Sequence, residues 1–204
     1  MSGEAAVSAP GKTILFGEHA AVYGHPALVT ALDHRMTIVA KSSAALKRGT
    51  LRLEIPALEI DRTVAAARSV SPPVAPGDLA VLAFAIATED LGPVTPGFHL
   101  RIVSKIPTGA GFGSSAALAV GVVAACRRGR DDDLSLGEIG RLASAIERHQ
   151  HGKSSGVDVE AVLRGGVLLC RRSYDHALEC HEIPSAEARL GAFRIFHSGT
   201  PDES

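Results

Sequence analysis

The stretch that most restricts this chain is residues 106–120, IPTGAGFGSSAALAV. The segment before it, FHLRIVS over 98–104, alternates and reads as a strand. The run after it, Ala116 to Arg128, is rich in small apolar residues and reads as a buried helix. Between them, Gly109, Gly111 and Gly113 let the backbone take positive φ and approach a ligand closely. The helix begins near Ser114, where its first amides lack internal partners and its dipole is positive. Strand, glycine loop and helix start together make a phosphate cradle. A tight strand-to-helix turn would use the same glycines. Ser114 and Ser115 could cap the helix, and a serine hydroxyl there could equally ligate a phosphate-bound magnesium. Two familiar nucleotide loops do not fit. GxxxxGK[ST] requires a lysine after its last glycine, and the singly alternating glycines do not match GxGxxG.

The remaining segments give a mixed order of strands and helices, an α+β domain. Residues 5–9 are apolar, and Pro10-Gly11 reads as a break. ALVTAL (27–32) and RMTIVAKS (35–42) read as two strands around Asp33-His34, and LRLEI (51–55) as another. After a loop over 69–77, Asp78 is placed to cap a helix ending near Gly92. RRGRDDD (127–133) reads as a solvated turn. Ser135 and Glu138 form a capping box for a helix running toward His149. GGVLLCRRS (165–173) and FRIFHS (193–198) read as strands.

Charge bounds the partners. The 21 basic and 22 acidic residues leave no excess for a nucleic-acid groove. Apolar stretches are too short and interrupted to span a bilayer, and the N-terminal residues do not read as a signal peptide. Cys126, Cys170 and Cys180 are odd in number and widely spaced, which reads as free thiols in a reducing cytoplasm. His149 and His151 have no third ligand at a zinc spacing.

Three segments carry a resemblance. PTGAGFGSSAA resembles the second motif of the GHMP kinases (galactokinase, homoserine kinase, mevalonate kinase, phosphomevalonate kinase), with Phe112 at the usual leucine. APGKTILFGEHAAVYGHPAL (9–28) is similar to the first motif in its mevalonate kinase form. ERHQHGKSSGVD (147–158) resembles the segment that carries a metal-binding glutamate and a catalytic aspartate, with Lys153-Ser154 where Asn-Pro is commoner. The resemblance implies a ribosomal-protein-S5-domain-2-like N-terminal lobe over 1–204 that binds ATP. It also implies that the family's C-terminal lobe would be absent from these residues. It implies ATP-dependent phosphorylation of a small alcohol, most like mevalonate, in the cytoplasm. Gly109, Ala110, Gly111, Phe112, Gly113, Ser114 and Ser115 would hold the ATP phosphates. Ser115 and Glu147 would hold Mg2+, a hard cation that takes oxygen ligands. Asp158 and Lys12 would be catalytic. Lys12, Glu18, His19 and Ser155 would face the substrate. The residues leave other readings open: Glu147 as a solvated helix residue, Asp158 as an N-cap, Lys12 as an exposed loop lysine. An apolar lobe face would be covered by a second copy or by the missing half. The alternatives are a truncated noncatalytic nucleotide- or partner-binding protein, or a GHMP kinase with another small acceptor.

Overall fold

One strand organises the molecule. β2 runs from Ala27 to Ser43, seventeen residues, with buried apolar side chains alternating at Ala27 and Val29 and again at Met36, Ile38 and Ala40. The computed structural model describes residues 3–18, 20–65, 75, 77–89, 97–107, 109–129, 134–152, 154–173, 177–184 and 195. β1 (Glu4–Phe16) lies antiparallel along most of β2. The remaining strands are β3 (Thr50–Ile55), β4 (Ile60–Ala65), β5 (Gly97–Ser104), β6 (Val167–Arg172) and β7 (Leu178–Ile183). They form a seven-stranded sheet in the order β4-β3-β5-β2-β6-β7, with β1 paired to β2. β3 and β5 are parallel, and every other pair is antiparallel. β2 pairs with β6 through Ala27–Thr30 and with β5 through Met36–Ser43.

Four helices accompany the sheet: α1 (Asp78–Thr88), α2 (Ser114–Arg128), α3 (Leu136–His151) and α4 (Val157–Arg164). α2 is central, packing on β1 and β2 and touching the other three helices. Ile38, Leu51, Leu53, Phe84, Phe98, Leu100, Ile102 and Ile146 are fully buried in the main core. Each such side chain contributes about 1.5–3 kcal/mol on burial. A second, smaller core joins Ala27 and Val29 of β2 to Leu168 and Cys170 of β6 and to Val157 and Ala161 of α4. α4 is thus wedged between the two, because its Val159 and Val162 belong to the main core. No helix among the described residues is long and apolar enough to cross a membrane.

Several expectations change. Pro10-Gly11 does not end β1. The register slips there instead, from Pro10 opposite Arg35 to Gly11 opposite Leu32. Asp33 and His34 are the residues left over, so they form an irregularity inside one strand rather than a link between two. Proline has no N–H for the ladder, and a bulge accommodates that loss. β4 and β7 were not expected. The cap of α1 is Gly77. Asp78 is the first helical residue, and its carboxylate accepts from the Ala75 amide and the Arg62 guanidinium, both at 2.9 Å. Arg127 is not in a solvated turn: it lies on α2 and is 4% exposed. Cys170 and Cys180 oppose each other on β6 and β7, with Cα atoms 4.1 Å apart, and are disulfide-bonded. Strand register creates that pair, and sequence spacing does not reveal it. Cys126 alone is a free thiol; burial pushes its pKa up to about 12. The expected strand over 193–198 and helix end near Gly92 fall outside the described residues.

Candidate active site

The glycine loop joins β5 to α2 as its sequence implied. Gly109, Gly111 and Gly113 have φ of 74°, 72° and 73°. Gly113 is the N-cap of α2, and no side chain caps the helix there. Ser114 and Ser115 are therefore helical residues, not caps. The first turn of α2 has no acidic residue, and its last turn holds Arg127 and Arg128. That distribution leaves the positive end of the dipole unopposed by a nearby carboxylate on the helix.

β1 runs against this loop. The Lys12 amide donates to the Phe112 carbonyl at 3.0 Å. A Cβ at Gly11 would stand 2.9 Å from that same carbonyl oxygen, so glycine is what lets the strand pass so close. A Cβ at Gly113 would stand 2.7 Å from Cγ of Lys12, because the lysine stem lies over the loop at this point. Lys12 is only 5% exposed, far from the exposed loop lysine its sequence neighbourhood allowed. Its ammonium meets Asp158 of α4, with Nζ 3.0 Å from Oδ2.

Asp158 is not an N-cap. Gly156, at φ 82°, holds that place and the aspartate lies in the first turn of α4. Its side chain keeps 30% of its surface accessible, enough to meet a ligand. Glu147 approaches from α3 and is 2% exposed, so it is not a solvated helix residue. Burial raises its pKa. A hydrogen bond from Ser115 and the charges of His151 and Lys12 oppose the shift, while Asp158 adds to it. Its Oε1 is buried without a hydrogen-bond partner. An unpartnered buried carboxylate oxygen is costly to keep. With the Ser115 hydroxyl beside it, the pair fits a hard cation such as magnesium.

Lys12, Ser115, Glu147 and Asp158 thus come together from β1, α2, α3 and α4. Ser155 is near in sequence to Asp158, and its hydroxyl accepts from the Val157 amide at 3.4 Å. Glu18 is exposed in the turn after β1. His19 lies outside the described residues. Sequence reasoning missed Arg172 of β6, whose Nη2 donates to the Ser154 and Ser155 carbonyls at 3.2 and 3.1 Å. No spacing signal ties it to a loop 17 residues earlier.

Residues 78–166 match the family model described as the GHMP kinases N terminal domain. The mevalonate kinase of Thermococcus onnurineus is 33% identical over 190 residues, covering 91% of this chain and 57% of that protein. The mevalonate kinase of Archaeoglobus fulgidus is 36% identical over 163 residues, covering 79% of this chain and 51% of that protein. The crystal structure of the Methanococcus jannaschii mevalonate kinase superposes with a TM-score of 0.78 at 26% identity, covering 89% of this chain and 56% of that one. The chain spans about half the length of the curated relatives it matches.

Proposed function

This chain carries a GHMP kinase N-terminal domain, and from that premise we propose that residues 1–204 act as the ATP-binding lobe of a kinase for a small alcohol. The acceptor in this reading is mevalonate, and the product is 5-phosphomevalonate. ATP is the phosphoryl source. One observation carries the proposal: the Lys12 ammonium and the Asp158 carboxylate, far apart in the sequence, meet at 3.0 Å beside the glycine loop.

Phosphoryl transfer asks a protein chiefly for positioning and charge stabilisation. The amides of Gly109 to Ser115 hold the phosphates, and Gly113 allows the loop to lie against β1. Ser115 and Glu147 hold magnesium, which when bound offsets phosphate charge. Asp158 accepts the proton of the attacking hydroxyl or fixes it by a hydrogen bond. Lys12 faces the transferred group and opposes its negative charge. Glu18, His19 and Ser155 line the acceptor end. The Ser155 hydroxyl accepts the Val157 amide and keeps its own proton to donate.

The test uses the full-length protein with ATP and mevalonate. Asp158→Asn is expected to lower turnover about 10²–10⁴-fold while nucleotide still binds, and to lower the melting temperature, since the buried Lys12 ammonium loses its partner. A folded variant with near-parental turnover would remove Asp158 from the chemistry. Glu147→Gln provides a second arm. It should weaken magnesium-dependent nucleotide binding in the calorimeter. It should also raise the melting point of the metal-free protein, since it removes a buried charge, by about 2–4 °C for each kcal/mol recovered. Unchanged magnesium dependence would show that Glu147 is no ligand.

A further inference from the structure

We infer that Arg172 is a positioning residue for the proposed phosphoryl transfer, holding from behind the turn that presents Asp158. The inference rests on the function proposed above. The segment before α4 carries the polar groups of two serines and a glycine, and the structure gives most of them partners. The Gly156 amide donates to Ser154 Oγ at 3.2 Å, and the Val157 amide to Ser155 Oγ at 3.4 Å. The two carbonyls of Ser154 and Ser155 both accept from Nη2 of Arg172. Asp158 follows three residues after Ser155, so the backbone that aims its carboxylate starts at this clamp.

The clamp has a firm base. Arg172 ends β6, which the Cys170–Cys180 disulfide ties to β7. Leu178 of β7 lies under the turn, where a Cβ on Gly156 would come 3.1 Å from its Cδ2. Asp158 is therefore held from two directions. Lys12 engages its carboxylate from the glycine loop side, and Arg172 fixes its approach from the sheet. A planar guanidinium is preorganised for this bridging, and less freedom is lost per hydrogen bond than with a lysine. Reacting groups misplaced by about 1 Å can cost about 10²-fold in rate.

The experiment compares Arg172→Met and Arg172→Lys with the full-length parent. The methionine keeps the apolar stem and deletes the donors. It should lower kcat by roughly 10-fold or more, up to about 10²-fold, while the KM for ATP stays parental. Arg172→Lys should recover part of the loss. A kcat that does not change, or a KM for ATP that rises in step with the loss, overturns the inference. So does a lysine variant no better than methionine. Hydrogen exchange separates this inference from the functional reading. In Arg172→Met the amides of residues 156–158 should exchange faster while those of α2 and α3 stay protected. If Arg172→Met fails to fold, Arg172→Lys should show the same local change in milder form. Unchanged exchange at 156–158 overturns the positioning role whatever the activity. A parent that phosphorylates no mevalonate, with the exchange result as expected, removes the acceptor reading and leaves the clamp in place.

Discussion

Helices α2 and α3 both begin with amides that have no partner inside the helix, and the chain treats the two starts differently. At α3 the gap is closed from within. Ser135 accepts the Glu138 amide at 3.3 Å, and Glu138 reaches back to the Ser135 amide at 2.9 Å. At α2 a glycine stands at the cap, with no side-chain acceptor and no acid in the first turn. The first start stabilises the fold and needs nothing further. The second leaves its donors for a partner from outside, which is where the proposed phosphates bind.

The sharpest way to break this contrast is Gly113→Val. The φ of 73° disfavours any β-branched residue, and the new Cβ would meet the Lys12 stem. Nucleotide binding should be lost in a titration calorimeter, and thermal melts should show a stability loss of more than about 1–2 kcal/mol. Parental nucleotide affinity in this variant would mean that the start of α2 is not the phosphate site. Ser135→Ala addresses the other start. It should cost about 1 kcal/mol in denaturant unfolding and leave nucleotide affinity unchanged. A loss of affinity there would show that the two starts are not independent.

The smallest effect is a pH dependence. The Ser135 hydroxyl, followed by its amide, holds the Glu138 carboxyl below the usual carboxylate range. A folded-state pKa below the unfolded one stabilises the protein fully above the unfolded value, about 4.3, and loses that contribution as pH falls through the folded value. The melting-temperature gap between the parent and Glu138→Gln should therefore be widest near neutrality and close on acidification below about pH 4. A gap that widens on acidification would contradict the capping role.

The contrast also marks what a sequence can disclose. The capping box is local, spanning Ser135 to Glu138, and it was readable. So were the three glycines between an alternating strand and an alanine-rich helix. Burial was not. AIERHQH looks like a solvated helix surface, and Glu147 is buried because α3 packs against α2. Lys12 looked like a loop residue because Pro10-Gly11 usually breaks a strand. Pairing with β2 overrides that preference. β4 and β7 are short, alternate with charged residues, and take their strand form from neighbours distant in sequence. Arg172 and the Cys170–Cys180 pair depend on strand register, which no local pattern encodes. The meeting of Lys12, Ser115, Glu147 and Asp158 was anticipated through family resemblance. Spacing alone would not have joined them.

β2 has a consequence for how the molecule comes apart. Its Met36, Ile38 and Ala40 belong to the main core, and its Ala27 and Val29 to the smaller one. A single backbone therefore threads both, with the irregularity at Asp33-His34 between them. Melting either core frees a strand end that the other core still grips. The two then lose structure together, and unfolding should be all-or-none rather than stepwise. A cut at Asp33-His34 would remove this backbone link and leave β1 and α4, which also touch both cores, to couple them.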